Sequence, residues 1–92
     1  MLSMEQELLQ KAEELASLLL TPQQIGSLLG LNGDETAEFF NEFKPAGQMY
    51  RRVLAEQARE LHEKTLRLAQ VGSPTAIEQA NKWLTAAQIS IE

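Results

Sequence analysis

The sequence predicts an all-α protein: a helix-turn-helix core of three helices followed by a long helical hairpin of two. Three observations lead there. Apolar residues recur at spacings of three and four along most of the chain, and no stretch reads as a strand, an internal repeat or a low-complexity segment. Proline and glycine fall between those runs, at Thr21-Pro22, Gly30, Asn32-Gly33, Pro45 and Gly72-Ser73-Pro74, where helices stop and start. Lastly, Ile25-Gly26-Ser27-Leu28-Leu29-Gly30-Leu31 has the small residue, the turn glycine and the following aliphatic that a helix-turn-helix needs.

The first helix is expected roughly from Ser3 to Leu20. Leu8, Ala12, Leu15 and Leu19 form its apolar stripe, Leu9 and Ala16 widen it, and Glu5, Gln6, Glu13 and Glu14 lie off it. It stops at Thr21-Pro22, because proline disfavours a helical residue before it. The same residues start the second helix, about Pro22 to Leu29. Thr21 is its N-cap, Pro22 takes the first helical position and Gln24 completes a capping box. Ile25, Leu28 and Leu29 face inward, Gly26 marks the close approach, and Gly30 supplies the left-handed residue that ends the helix. Leu31 plugs the corner. The third helix opens on Asn32-Gly33-Asp34-Glu35, with Asn32 paired to Glu35, or Asp34 itself, as cap. Thr36, Phe39, Phe40 and Phe43 are expected on its buried face, and it ends before Pro45.

From about Ala46 to Val71 there is no proline and only Gly47 near the start, so one long helix is expected. Leu54, Ala58, Leu61, Thr65 and Leu68 alternate spacings of four and three, the seam of an antiparallel hairpin or coiled coil. Gly72 terminates it. Ser73-Pro74 caps a fifth helix with Ile77, Ala80, Leu84, Ala87 and Ile91 on one face and Trp83 beside it. Residues 1–45 are then the helix-turn-helix region and residues 46–92 the hairpin, the two making one compact domain.

Composition sets limits on function. A chain of 92 residues has room for one compact core and leaves a sizeable share of its apolar surface exposed unless a partner covers it. Without cysteine there is no disulfide, thiolate zinc site or cysteine nucleophile, which fits a reducing compartment. The longest apolar run, Leu18 to Leu20, is far too short for a membrane span, and Glu5, Glu7, Glu13 and Glu14 spoil a signal peptide. A cytoplasmic protein with no membrane association and no cofactor is expected.

The formal charge of −5 conceals a division. Residues 1–45 carry two cations against eight carboxylates, and residues 46–92 carry six against five. The second helix of the helix-turn-helix is acidic: Glu35, Glu38 and Glu42 are spaced to line one exposed face, with Asp34 at its start. Carboxylates near phosphates add repulsion where affinity normally comes from cations releasing counterions. This face suits a basic protein partner, or it is simply solvated, its first-turn acids favouring the positive end of the helix dipole. Cations that would hold DNA phosphates gather at Lys44, Arg51, Arg52 and Arg59. The plainer account is a solvated helix laced by four-residue pairs, Arg52 with Glu56, Glu60 with Lys64 and Glu63 with Arg67.

His62 is the single histidine, with no second positioned group to make it a metal ligand or a general base, so no metal or catalytic residue is expected. Tyr50 and Trp83 read as core aromatics or as anchors at an interface between copies.

The order of parts completes the picture. "LTPQQIGSLLGL", "AEFFNEF", "YRR" opening a long helix and "LAQVGSPTAIEQANKWL" closing as a hairpin together resemble phage and prophage small-terminase-type helix-turn-helix proteins. The shared marks are Gly26 with the Leu29-Gly30-Leu31 corner, then Ala69, Gly72, Ser73 and Ala76 at the end of the long helix. They span about residues 12 to 84 and are short, apolar motifs. The resemblance implies a non-enzymatic protein that recognises viral DNA, assembles into rings through its hairpins and regulates a separate large terminase subunit carrying the ATPase and nuclease. It also implies an oligomer interface at Leu54, Leu61, Leu68, Ile77 and Leu84, to which Trp83 is added as an aromatic anchor. The acidic third helix departs from that pattern, so many weak modules acting together would have to supply the grip on double-stranded DNA. The alternatives are an adaptor whose acidic helix-turn-helix meets a basic protein, and a prophage-type transcription regulator.

Overall fold

Reciprocal caps begin the first three helices. In the computed structural model, which describes residues 3–92, α1 spans Met4–Ala16, α2 Pro22–Leu28, α3 Gly33–Phe39, α4 Pro45–Gln70 and α5 Pro74–Ser90. The Gln6 amide donates to Ser3 Oγ at 3.2 Å while the Ser3 amide donates to Gln6 Oε1 at 2.9 Å. The same exchange joins Thr21 with Gln24 and Asn32 with Glu35. Each box satisfies two amides that a helix start would otherwise leave without partners. Ser73 caps α5 from one side only, accepting from the Ala76 amide.

Two helices end earlier than their apolar periodicity predicts. The first stops at Ala16 rather than near Leu20, because the chain reverses through Leu19 at φ +64°, a left-handed conformation usually left to glycine. Leu19 is thereby exposed instead of joining the stripe. The third stops at Phe39. Asn41 Oδ1 accepts from the Phe43 amide at 2.8 Å, the Lys44 amide donates to the Asn41 carbonyl at 2.9 Å, and Pro45 then opens α4. That side-chain turn competes with another helical turn. Glu42 and Phe43 consequently lie outside α3, and Phe43 is 80% exposed rather than on a buried face.

The chain divides into two compact units, the first ending at Gln57 and the second beginning at Ala58. The first has the core: Ala12 and Ala16 of α1, Ile25 of α2, and Met49 and Val53 of α4 are buried together. Leu9, Leu15, Leu20, Leu29, Phe39, Phe40 and Tyr50 pack around them. Phe40 meets Phe39 and Tyr50 edge to face, and the Tyr50 hydroxyl donates to the Leu20 carbonyl at 2.9 Å, tying α4 to the segment between α1 and α2. Gly26 and Gly47 make the close approaches. A Cβ at Gly26 would lie 2.8 Å from Thr36 Cγ2, and one at Gly47 would lie 2.7 Å from the Phe40 carbonyl oxygen.

The second unit is a helical hairpin formed by the C-terminal part of α4 and α5, reversed at Gly72, where φ is +95°. His62 stacks on Trp83, with ring centroids 3.6 Å apart and planes 10° from parallel, at equal sequence distances from the Gly72-Ser73 turn. The inner seam is small. Thr65, Ala69, Ser73, Ala76 and Ala80 are the covered small positions, with Trp83 half-buried beyond them, and of these only Ala76 is buried. The leucine seam expected from the four-three rhythm is therefore corrected: Leu61 and Leu68 are 51% and 55% exposed. Small residues occupy most of the line where the two helices face each other, and the larger side chains are turned outward.

Candidate functional site

The α2–α3 corner is positioned by its glycines. Gly26 lets α2 lie against Thr36 of α3, Gly30 at φ +80° makes the turn, and the Leu31 amide closes it onto the Gly26 carbonyl at 2.8 Å. The short α3 presents Asp34, Glu35 and Glu38 to solvent. Its acidic face is thus made by residues of one helix and, in Glu42, of the loop after it.

The cations and carboxylates singled out in the sequence meet each other. Lys44 pairs with Glu38, Arg51 with Glu42 at 2.9 Å, Arg52 with Glu13 at 3.8 Å and Arg59 with Glu63 at 3.1 Å. Glu35 instead accepts from the Asn32 amide. Of the four-residue pairs expected along α4, none forms among the described residues: Arg52 turns to Glu13 on α1, and Glu63 turns back to Arg59. Every partner is about half exposed or more, so each pair contributes about 0–1 kcal/mol and opens readily. What remains is a field. Residues 1–57 carry four cations against nine carboxylates, whereas residues 58–92 carry four against four.

The residues expected at an oligomer interface are mostly in water. Leu61, Leu68, Ile77 and Leu84 are exposed on the hairpin, Leu54 is exposed on the α4 surface of the first unit, and Trp83 is half-buried against His62. Reading the sequence missed that stack; a lone histidine and a tryptophan equally far from a glycine turn were the signal for it. It also missed a groove of about 520 Å³ in the first unit, floored by Leu8, Leu9, Leu31 and Phe39.

Among the described residues no three His, Cys, Asp or Glu side chains are grouped to hold a metal ion, and no helix is long and apolar enough to cross a membrane. No protein-family model, curated protein or solved structure matches the chain.

Proposed function

We propose that this chain is a non-enzymatic helix-turn-helix protein of phage or prophage type, similar to small terminase subunits, which assembles through its hairpin and recruits a packaging partner to DNA. The exposed hairpin surface carries the reading. Leu61, Leu68, Ile77 and Leu84 remain in water on a unit with one buried side chain. Fully burying such a side chain contributes about 1.5–3 kcal/mol, so covering several of them favours association. In this reading Lys44, Arg51, Arg52 and Arg59 face phosphates, each leaving its carboxylate to do so. Several copies supply by multiplicity what one acidic module lacks. The protein works in the cytoplasm, with a large terminase subunit as its partner.

Light scattering and native mass measurement test the assembly. The expected result is a discrete oligomer that Leu61→Glu combined with Leu84→Glu reduces to monomer, with the first unit still folded. A strict monomer at high concentration removes the reading.

A second reading has its own support. Since the four candidate cations already hold carboxylates and residues 1–57 are strongly acidic, the helix-turn-helix suits a basic protein as well as it suits DNA. It is then an adaptor. Titration with duplex DNA separates the two: affinity that falls steeply with salt and drops in Arg51→Ala/Arg52→Ala supports the DNA role. No binding at low salt leaves the adaptor.

A further inference from the structure

The groove of the first unit has a chemistry that DNA does not match. Its floor is apolar, with Leu8 and Leu9 from α1, Leu31 from the α2–α3 turn and Phe39 from α3. Its rim is acidic, with Glu5 of α1 and Glu35 and Glu38 of α3, and the one cation among the described lining residues, Lys44, is paired to Glu38. A volume of about 520 Å³ takes one or two large apolar side chains. A duplex offers little that is apolar at such depth, and its phosphates would meet the rim carboxylates. An aliphatic side chain flanked by lysines or arginines satisfies floor and rim together.

We infer that this groove is the docking site for an amphipathic basic helix of a partner protein. One or two Leu- or Phe-sized anchors fill the floor, and Lys or Arg side chains reach Glu5, Glu35 and Glu38. Two charge features select this occupant: the local excess of rim carboxylates over cations, and the acidic field of residues 1–57, which steers a basic segment from a distance. The inference rests on the adaptor reading and gives that reading a place and a partner chemistry.

The test uses the full chain and two fluorescent helical peptides with the same leucine pattern, one carrying lysines on its polar face and the other glutamates. The lysine peptide is expected to bind and the glutamate peptide is not. The variant Glu5→Gln/Glu35→Gln/Glu38→Gln removes three rim charges while the side-chain oxygen left at position 35 still accepts the capping hydrogen bond. It is expected to weaken binding roughly tenfold, each exposed charge contributing a factor of about two. Methyl resonances of Leu8, Leu9 and Leu31 are expected to shift on titration, a readout that a general loss of charge does not produce. Failure of both peptides to bind, or equal binding of both, overturns the groove. So does duplex DNA moving the same methyl groups. If the lysine peptide binds but perturbs only residues around Glu13 and Glu42, the groove is overturned while the adaptor reading stands.

Discussion

The two units are built from the same material and finish differently. The first closes a layer of buried side chains, Ala12, Ala16, Ile25, Ala46, Met49 and Val53, beneath half-buried aromatics. The second, residues 58–92, fully buries Ala76 and leaves Leu61, Leu66, Leu68, Val71, Ile77 and Leu84 exposed. Apolar content does not separate them; its placement does. Three short helices around the start of α4 can surround a side chain such as Ile25, whereas two helices side by side have one shared line, and here small residues occupy it. A two-helix unit of this kind is marginal alone and gains from covering its outer face. The first unit has a buried core of its own, although Leu18, Leu28 and Phe43 also stay exposed on it.

The largest effect that would sharpen this contrast comes from Ile25→Ala, at a fully buried position. It is expected to cost the first unit about 2–5 kcal/mol, read as a lower midpoint in urea followed by near-ultraviolet circular dichroism of Tyr50. Because Trp83 is the single tryptophan and sits in the second unit, its fluorescence transition is expected to stay in place. Equal movement of both transitions would break the comparison by showing that the units melt as one. Next, Gly47→Ala drives a methyl into the Phe40 and Asn41 backbone and is expected to lower first-unit stability by about 1–3 kcal/mol in thermal melts. A smaller change addresses the hairpin: His62→Ala removes the stack on Trp83, worth about 0.5–1.5 kcal/mol. In a unit with so little buried, that loss is expected to unfold a visible fraction of dilute protein, with altered Trp83 emission. Smallest is a gain. Leu19→Gly relieves a left-handed leucine at about 1–2 kcal/mol. Part of that gain is offset by the roughly 0.5–1 kcal/mol of extra chain entropy that glycine loses on folding. The net expectation is a slightly higher melting temperature for the first unit.

The helix starts were legible because each is decided within about four residues. Thr21 with Gln24 and Asn32 with Glu35 read as capping pairs and form them, and Gly30 and Gly72 turn where they were expected to. The ends of α1 and α3 were not, since a leucine in a glycine-like conformation and a turn built by the Asn41 side chain leave no mark on hydrophobic periodicity. Periodicity also favours the largest side chains, so it selected Leu61 and Leu68 over Ala69 and Ala76 as the hairpin seam. In the first half of α4 it missed the buried run of Ala46, Met49 and Val53. For the candidate site, the charges could be counted but not matched. Arg51 and Glu42 are brought together by the Asn41 turn, and Arg52 and Glu13 by packing of α4 on α1, neither of which follows from spacing along one helix. The groove needed three separate segments to exist at all.

The reciprocal boxes at Ser3, Thr21 and Asn32 have a kinetic consequence. Helix initiation is ordinarily the slow, unfavourable event, and seven-residue helices such as α2 and α3 are too brief to persist by their own propensity. A cap that forms within one turn lowers that barrier at each start, and the hairpin closes over the short link from Val71 to Ser73. Rapid acquisition of structure, dominated by neighbours in the chain, is the expected folding regime, and much of it can proceed while later residues are still being synthesised.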